Sequence, residues 1–464
     1  MICVEAGVPM LKEWQMAAPV DFTLGQNEHL AIVGRNGSGK SKLVDILIGK
    51  HPLKGGKITY DFASHTRKYV SENVKYLAFK DCYGGETDQN YYLQQRWNQW
   101  NVDDERILMS SGELRKYSLS KVLNQTPCVL IMDNPFVGLD VASRKVLNEQ
   151  LKAIIDGGAT HLVLVLSRTD EVPPFITHVV RVEEEVVLPK LTYSQWKEMD
   201  HEPDQSLFAG LDEKFARALE ATNSGATAES VQRLRGKGGN DPVGDEIARL
   251  NKVSIRYGER TILKDLDWVV RKGEHWSLMG PNGSGKSTLL GLVCADNPQS
   301  YACDISLFGW KRGSGESIWD IKKHIGYVSP ELHRSCKRDI MAERIVANGL
   351  RDFHGMFTKA NDVEVEIARK WLELFGIVHL AQKTFLTMSS GEQRLVLLAR
   401  AFVRNPDLLI LDEPFHGLDN TNRDMVKHII GLFCQDASKT LVMVTHYPEE
   451  LPSCIDHNLT LEVH

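Results

Sequence analysis

Two adjacent carboxylates, Asp412 and Glu413, follow four consecutive apolar residues, Leu408 to Leu411, and precede Pro414. Such a run reads as a strand buried on both faces, with its charges emerging at the carboxyl end. Two acids at the end of a buried strand are costly unless a cation lies beside them. The same half of the chain supplies a reason for one: Gly280-Pro281-Asn282-Gly283-Ser284-Gly285-Lys286-Ser287, followed by Thr288. This stretch fits G-x-x-x-x-G-K-[ST], a loop whose backbone N–H groups cradle phosphates, whose lysine reaches them and whose serine holds Mg²⁺. In that setting Asp412 shares the Mg²⁺ with Ser287, and Glu413 orients and deprotonates an attacking water. A solvated strand end would account for the acids alone, but not for the phosphate loop in the same half.

The elements that must hold these groups occur twice. Gly34-Arg35-Asn36-Gly37-Ser38-Gly39-Lys40-Ser41 is a second phosphate loop. It follows the apolar run Leu30 to Val33 and precedes a helical pattern (Leu43, Ile46, Leu47), the strand–loop–helix context the motif requires. Further on, Leu108-Met109-Ser110-Ser111-Gly112-Glu113 leads into a helical stretch, and Met388-Ser389-Ser390-Gly391-Glu392 repeats it. A small, hydroxyl-rich turn at a helix N-terminus reads alone as an ordinary cap, and in this company as an anion site. A buried strand, Val129 to Asp133, then precedes Gly138-Leu139-Asp140, as Leu408 to Asp412 precedes Gly417-Leu418-Asp419.

Phosphate loop, Ser-Ser-Gly-Glu turn, apolar strand ending in Asp, and Gly-Leu-Asp, in that order and twice, resemble a tandem ABC ATPase. The turn is similar to the ABC signature Leu-Ser-Gly-Gly-Gln, with serine at its third position and glutamate at its fifth. The stretch from Leu307 through Gly309-Trp310-Lys311-Arg312 to Ile325-Gly326-Tyr327-Val328-Ser329 closely resembles the ModF-type family, tandem ATP-binding proteins associated with molybdate transport or photorepair. The resemblance implies an α/β fold of two tandem P-loop ABC ATPase domains, each with a mixed sheet core and a helical subdomain. It implies ATP and Mg²⁺ as ligands and head-to-tail pairing of the two halves.

On that basis the competent site combines Tyr257, Lys286, Ser287, Asp412, Glu413 and His446 with Ser110 and Gly112 of the other half. Tyr257 stands where the family stacks adenine, and His446 where it contacts the γ-phosphate. The other site combines Lys40, Ser41, Asp133, Asn134 and Ser167 with Ser389 and Gly391. The first half departs from the pattern three times. Asn134 replaces the catalytic glutamate, and an amide cannot take a proton from water; losing a general base costs ~10²–10⁴ in rate. Ser167 replaces the histidine. Leu11 stands where Tyr257 would, leaving Trp14 as the nearest residue for stacking on adenine. Lys40, Ser41 and Asp133 remain, so nucleotide binding with poor turnover is the expectation there.

The first half is also shorter: 70 residues separate Lys40 from Ser110, against 103 between Lys286 and Ser389. The resemblance puts most of the helical subdomain in this interval, so the first one should be abbreviated. Its aromatic segment, Tyr91 to Trp100, reads as a short helix docking its tryptophans, or as a partner surface. Both coupling glutamines of transporter motors are missing: Pro330 and then Glu331 follow one strand, and Phe79 follows the other (Val74 to Ala78).

At 464 residues the chain has room for several domains. The reading gives a first ATP-binding domain over 1–192, a flexible linker over 193–245 with a short helix from Asp212 to Ala221, and a second ATP-binding domain over 246–464. From Lys190 to Glu246 there are seven Lys/Arg and eleven Asp/Glu, unlike the basic linker of RNA-reaching relatives, and the net charge is −6. Nucleic acid is therefore not the expected partner. Apolar stretches such as Leu162 to Leu166 are too short to cross a bilayer, and no signal peptide is read. Eight cysteines with no C-x-x-C pair point to reduced thiols rather than disulfides or a metal site. The expected setting is the cytoplasm or the inner face of the membrane. The expected partner is a cytosolic protein or a membrane permease. The competing functions are an ATP-driven switch, the motor of a membrane importer with a separate permease, and a ribosome-associated ATPase of the ABC-F type.

Overall fold

The structure is a computed structural model. It describes residues 2–62, 69–79, 119–199, 208–223, 245–258, 260–330, 339–351 and 360–463. The chain folds as two compact units, Met1–Asp204 with Gly417–Asn422, and Gln205–His416 with Arg423–His464.

The first unit contains β1 (Ile2–Pro9), β2 (Val20–Leu24), β3 (Leu30–Val33), α1 (Lys40–Leu47), β4 (Leu53–Tyr60), β5 (Val74–Ala78), β6 (Val129–Asp133), α2 (Val141–Asp156), β7 (His161–Leu166), β8 (His178–Glu183), β9 (Val186–Val187) and β10 (Leu191–Thr192). Its central sheet runs β10-β8-β3-β7-β6-β5, with β9 beside β8, and a small antiparallel sheet runs β2-β1-β4. The five strands β8-β3-β7-β6-β5 are parallel neighbours, with β5 at the edge. All four residues of β3 are buried. Their alternation serves two cores. Leu30 and Ile32 meet Leu43, Val44 and Leu47 of α1 on one face. Ala31 and Val33 join the cluster of Leu147 and Leu151 of α2 on the other. Covering both faces is what makes these strands continuous apolar runs.

The second unit opens with α3 (Leu211–Asn223), followed by β11 (Glu246–Tyr257), β12 (Arg260–Arg271), β13 (His275–Met279), α4 (Lys286–Val293), β14 (Asp304–Leu307), β15 (Trp310–Lys311), β16 (Ile325–Val328), α5 (Ala342–Asn348), α6 (Asp362–Leu374), α7 (Ser390–Phe402), β17 (Leu408–Asp412), α8 (Asn420–Cys434), β18 (Thr440–Val444) and β19 (His457–Thr460). Its central sheet, β16-β17-β18-β13-β19, repeats the first unit's strand order, and its pairings are parallel. The register repeats as well: Asp412 pairs with Val444 in one sheet and Asp133 with Val165 in the other. Both parallel cores sit beside an antiparallel sheet, so each half is a mixed α/β fold.

Helix α3 lies inside the stretch read as a linker, and it buries Leu211, Phe215, Ala218, Ala221 and Thr222. Phe215 meets Trp371 of α6 edge-on with ring centroids 6.0 Å apart. The Trp371 indole N–H donates to Thr222 Oγ1 at 3.0 Å. A tryptophan that is 1% exposed needs a partner for its N–H, and α3 supplies it. The abbreviated helical subdomain expected of the first half, with Tyr91 to Trp100, lies outside the described residues.

Candidate nucleotide sites

Each phosphate loop joins a buried strand to a helix. The helix begins only after a glycine in the left-handed region, Gly39 at φ 102° and Gly285 at φ 93°. A side chain there would strain the turn. Just after the strand, a Cβ on Gly34 would stand 2.2 Å from the Val182 carbonyl oxygen, and one on Gly280 2.5 Å from that of Leu461. These approaches leave the backbone bare along Gly34, Asn36, Gly37 and Gly39, and along Gly280, Asn282, Gly283 and Gly285.

Lys40 Nζ donates to the carbonyls of Gly34 at 2.6 Å and Arg35 at 2.8 Å. Lys286 Nζ does the same to Gly280 at 2.7 Å and Pro281 at 2.9 Å. Burial pushes the Lys40 ammonium down to about 8, against the pull of Asp133. The hydroxyls of Ser38 and Ser284 are buried in the loops without a hydrogen-bond partner. Ser41 and Ser287, at the second residue of each helix, are exposed, and Thr288 follows half-buried. A loop with a bare backbone, a buried ammonium and an orphaned hydroxyl fits phosphate oxygens, and an exposed serine hydroxyl together with a strand-end aspartate is the donor set that fits Mg²⁺.

The strand ends carry the difference between the halves. Asp412 ends β17 and is 8% exposed. Glu413 follows at φ 49°, and Asn134 occupies the same position after Asp133 at the same φ of 49°. The kink is held alike: Glu413 N donates to Val444 O at 2.9 Å and Asn134 N to Val165 O at 2.8 Å. Asparagine tolerates this region, whereas glutamate is uncommon in it and must be held. Arg394 of α7 does so. Its Nη2 donates to the carbonyl of Asp412 at 2.7 Å and to that of Glu413, and its Nε to Pro414 O at 3.3 Å. Arg394 is 1% exposed, and the sequence reading did not single it out.

His446 Nε2 lies 2.9 Å from Glu413 Oε1. Burial works against the Glu413 charge. The His446 hydrogen bond, with His416, His446 and the Arg394 guanidinium close by, outweighs it and holds the carboxyl well below its usual range. In the first unit Ser167 Oγ donates to Asn134 Oδ1 at 3.4 Å. The two replacements therefore meet each other, as Glu413 and His446 do. Tyr76 of β5 donates its hydroxyl to Asp133 Oδ2 at 2.9 Å. Burial, with Asp133 adding to it, raises the phenol pKa. The parallel pairing sets Tyr76 opposite Ile131, and its hydroxyl reaches forward along the same face to Asp133.

Ser389 caps α7: its hydroxyl accepts from Glu392 N at 3.3 Å, and Glu392 Oε2 accepts from Ser389 N at 2.7 Å. The fifth residue of the turn thus closes a capping box, and Gly391 lies buried within the first helical turn. Tyr257 ends β11 with its hydroxyl accepting from Asn297 at 3.0 Å. Trp14 stacks on His51 at 4.6 Å. Ser110, Gly112 and Glu331 lie outside the described residues.

These loops and strand ends define a P-loop nucleotide-binding fold present in two copies. The ABC transporter family model matches residues 17–137 and 263–416. The chain is 37% identical over 464 residues to the ABC transporter ATP-binding protein ModF of Escherichia coli, covering 94% of this chain and 92% of that one. It is 28% identical over 501 residues to an uncharacterised ABC transporter ATP-binding protein of Schizosaccharomyces pombe, covering 99% and 96%. Among solved structures, a post-hydrolysis dimer of an ATP-binding cassette with ADP and Pi is 24% identical over 47% of this chain and 96% of that chain, with a TM-score of 0.41. The chain belongs to the ABC transporter ATP-binding family, as a tandem ABC ATPase similar to ModF. Among the described residues no helix is long and apolar enough to cross a membrane.

Proposed function

We propose that the chain is an asymmetric ATP-driven switch that binds ATP at both phosphate loops and hydrolyses it at the second. The observation that carries this reading is the pair at each strand end: Glu413 with His446 in one half, and Asn134 with Ser167 in the other. A carboxylate can accept a proton from water, and an amide beside a hydroxyl cannot.

The Glu413–His446 pair supports a gate. While His446 holds the carboxylate, the hydrogen bond stabilises its charge and occupies the oxygen that would take a proton from water. A γ-phosphate competing for His446 removes that hydrogen bond, raises the carboxyl pKa and frees Glu413 to orient and deprotonate water. Arg394 keeps the Glu413 backbone kinked throughout, so the side chain is aimed before substrate arrives. Ser287 with Asp412, and Ser41 with Asp133, would hold Mg²⁺, which supplies charge neutralisation on the phosphates. Tyr257 supports adenine binding in the second half. Head-to-tail closure, with Ser110 and Gly112 facing one nucleotide and Ser389 and Gly391 the other, follows from the family resemblance. Closing with ATP and opening after hydrolysis is the output.

The test transplants the pair. In a Glu413→Gln background, Asn134→Glu with Ser167→His should raise turnover at least ~10-fold above the background, since a general base is worth ~10²–10⁴. No rise, with both nucleotides bound, would contradict the pair as the determinant.

The ModF likeness supports an output tied to molybdate handling. The transporter family supports the importer motor as the second reading. Capture by Glu413→Gln protein in Mg-ATP, with the membrane fraction retained and Lys286→Ala as control, separates them. An integral membrane protein held only in the ATP form means a motor, and a soluble partner alone means a cytosolic switch.

A further inference from the structure

The second unit carries a group of donors that the nucleotide chemistry does not use. His275, Cys434 and Cys454 place one ligand atom each within 4.8 Å of one another. His275 opens β13, whose other end runs into the phosphate loop. At ~3.3 Å per strand residue the group lies about 16 Å from Gly280. Cys434 is the last residue of α8, and Cys454 lies in the segment entering β19.

The histidine is built for a ligand. Its Nδ1 lies 3.2 Å from the Cys454 carbonyl oxygen, an acceptor, so Nδ1 carries the proton and Nε2 keeps its lone pair. Nε2 is buried and has no hydrogen-bond partner, in a residue 8% exposed. Such an atom costs free energy unless something binds it. The backbone is pinned as well: His275 N donates to Asp456 Oδ1 at 2.9 Å, and Asp456 N to His275 O at 3.1 Å. The Nδ1–H bond to the Cys454 carbonyl sets the ring's tautomer, and the backbone bonds hold its position, as for a metal-binding histidine.

The first unit shows what the same place looks like when packing alone is required. Counting from the matched motifs, His29, Ile155 and Phe175 hold the corresponding positions. Ile155 and Phe175 pack against the apolar core there. His29 Nδ1 accepts from Leu162 N at 3.2 Å, so that imidazole is already committed. Two thiols and a buried, open imidazole nitrogen replace two hydrophobes and a histidine whose Nδ1 accepts from the neighbouring strand.

We propose that His275, Cys434 and Cys454 form a site for a thiophilic divalent metal ion of the Zn²⁺ type, with the fourth position taken by water. One nitrogen and two sulfurs are a Cys₂His set, for which Zn–S of about 2.3 Å spaces the two sulfurs about 3.8 Å apart in a tetrahedron. The donors need close by no more than about 1 Å to reach it. Soft thiolates select Zn²⁺ over Mg²⁺, so the Mg²⁺ of the nucleotide sites does not compete. The bound ion clamps the start of β13, the end of α8 and the entry to β19. No motif marks it, because the three donors come from distant positions without a C-x-x-C or H-x-x-H signature.

The test titrates Co²⁺ into reduced, chelator-treated full-length protein, followed by Zn²⁺ displacement. One equivalent should bind with a thiolate-to-Co²⁺ charge-transfer band and tetrahedral d–d bands, and Zn²⁺ should bleach them. Cys434→Ser and Cys454→Ser should each abolish the band, and His275→Gln should weaken binding at least ~10-fold. ATP binding by the same variants, far from their phosphate loops, reports that they are folded. Absence of the band in the wild type would overturn the proposal. So would an unchanged band in the Cys434→Ser/Cys454→Ser double variant, or a Cys434–Cys454 disulfide in protein that takes up no metal.

Discussion

The two strand ends, residues 412–413 with 446 and residues 133–134 with 167, share a backbone and differ in chemistry. The register, the φ of 49° and the amide donated to the neighbouring strand are the same in both. One end presents a carboxylate held by an imidazole, and the other an amide held by a hydroxyl. Fold and nucleotide cradle can thus persist while the proton acceptor disappears, because the kink depends on main-chain bonds and only the reaction depends on the side chain. The lysines repeat the point, since both grip the first two carbonyls of their loops.

Matched substitutions at the two ends sharpen the comparison. Glu413→Gln should lower steady-state ATPase by ~10²–10⁴, while Asn134→Ala should leave it within about twofold. His446→Ala should follow, with a loss on the order of tenfold to a hundredfold, against no measurable change for Ser167→Ala. Both comparisons are read from phosphate release at saturating Mg-ATP. Lys40→Ala and Lys286→Ala should each reduce the nucleotide stoichiometry from two to one, as measured by equilibrium dialysis. Unchanged stoichiometry in Lys40→Ala would refute binding at the first loop.

The smallest effect concerns acid stability. Glu413 titrates below its ordinary value of 4.5 in the folded unit. Its ionised form therefore stabilises the fold above about 4.5, and that contribution is lost as pH falls through the depressed folded value. His446→Ala removes the hydrogen bond that depresses it. The variant should lose less stability than the wild type between about pH 5 and the acid limit, by denaturant titration at each pH. Ser167→Ala should leave the acid limb unchanged.

Much of this was legible in the sequence because it is local. The phosphate loops, the apolar runs ending in Asp133 and Asp412, and the exchange of Glu413 for Asn134 all lie within a few residues of their context. What escaped sequence reading depends on contacts between distant positions. Arg394 reaches the Asp412 and Glu413 carbonyls across the α7–β17 connection. Tyr76 of one strand reaches Asp133 of the next, and Thr222 meets the Trp371 indole across a long separation in sequence. The stretch holding α3 reads as a linker because few of its residues are apolar. Its docking rests on Leu211, Phe215, two alanines and one threonine hydroxyl, a small apolar face on an otherwise charged helix. The Ser389–Glu392 box matches a capping pattern that sequence can show, but its place beside a nucleotide comes from the family.

The central claim is that two ATP molecules bind and one is cleaved. Rapid-quench analysis of wild-type protein, loaded with radiolabelled ATP and started with Mg²⁺, tests it most directly. Two nucleotides should be bound per chain, with one converted to ADP in the first turnover and the other recovered as intact ATP. Cleavage of both at comparable rates would contradict it.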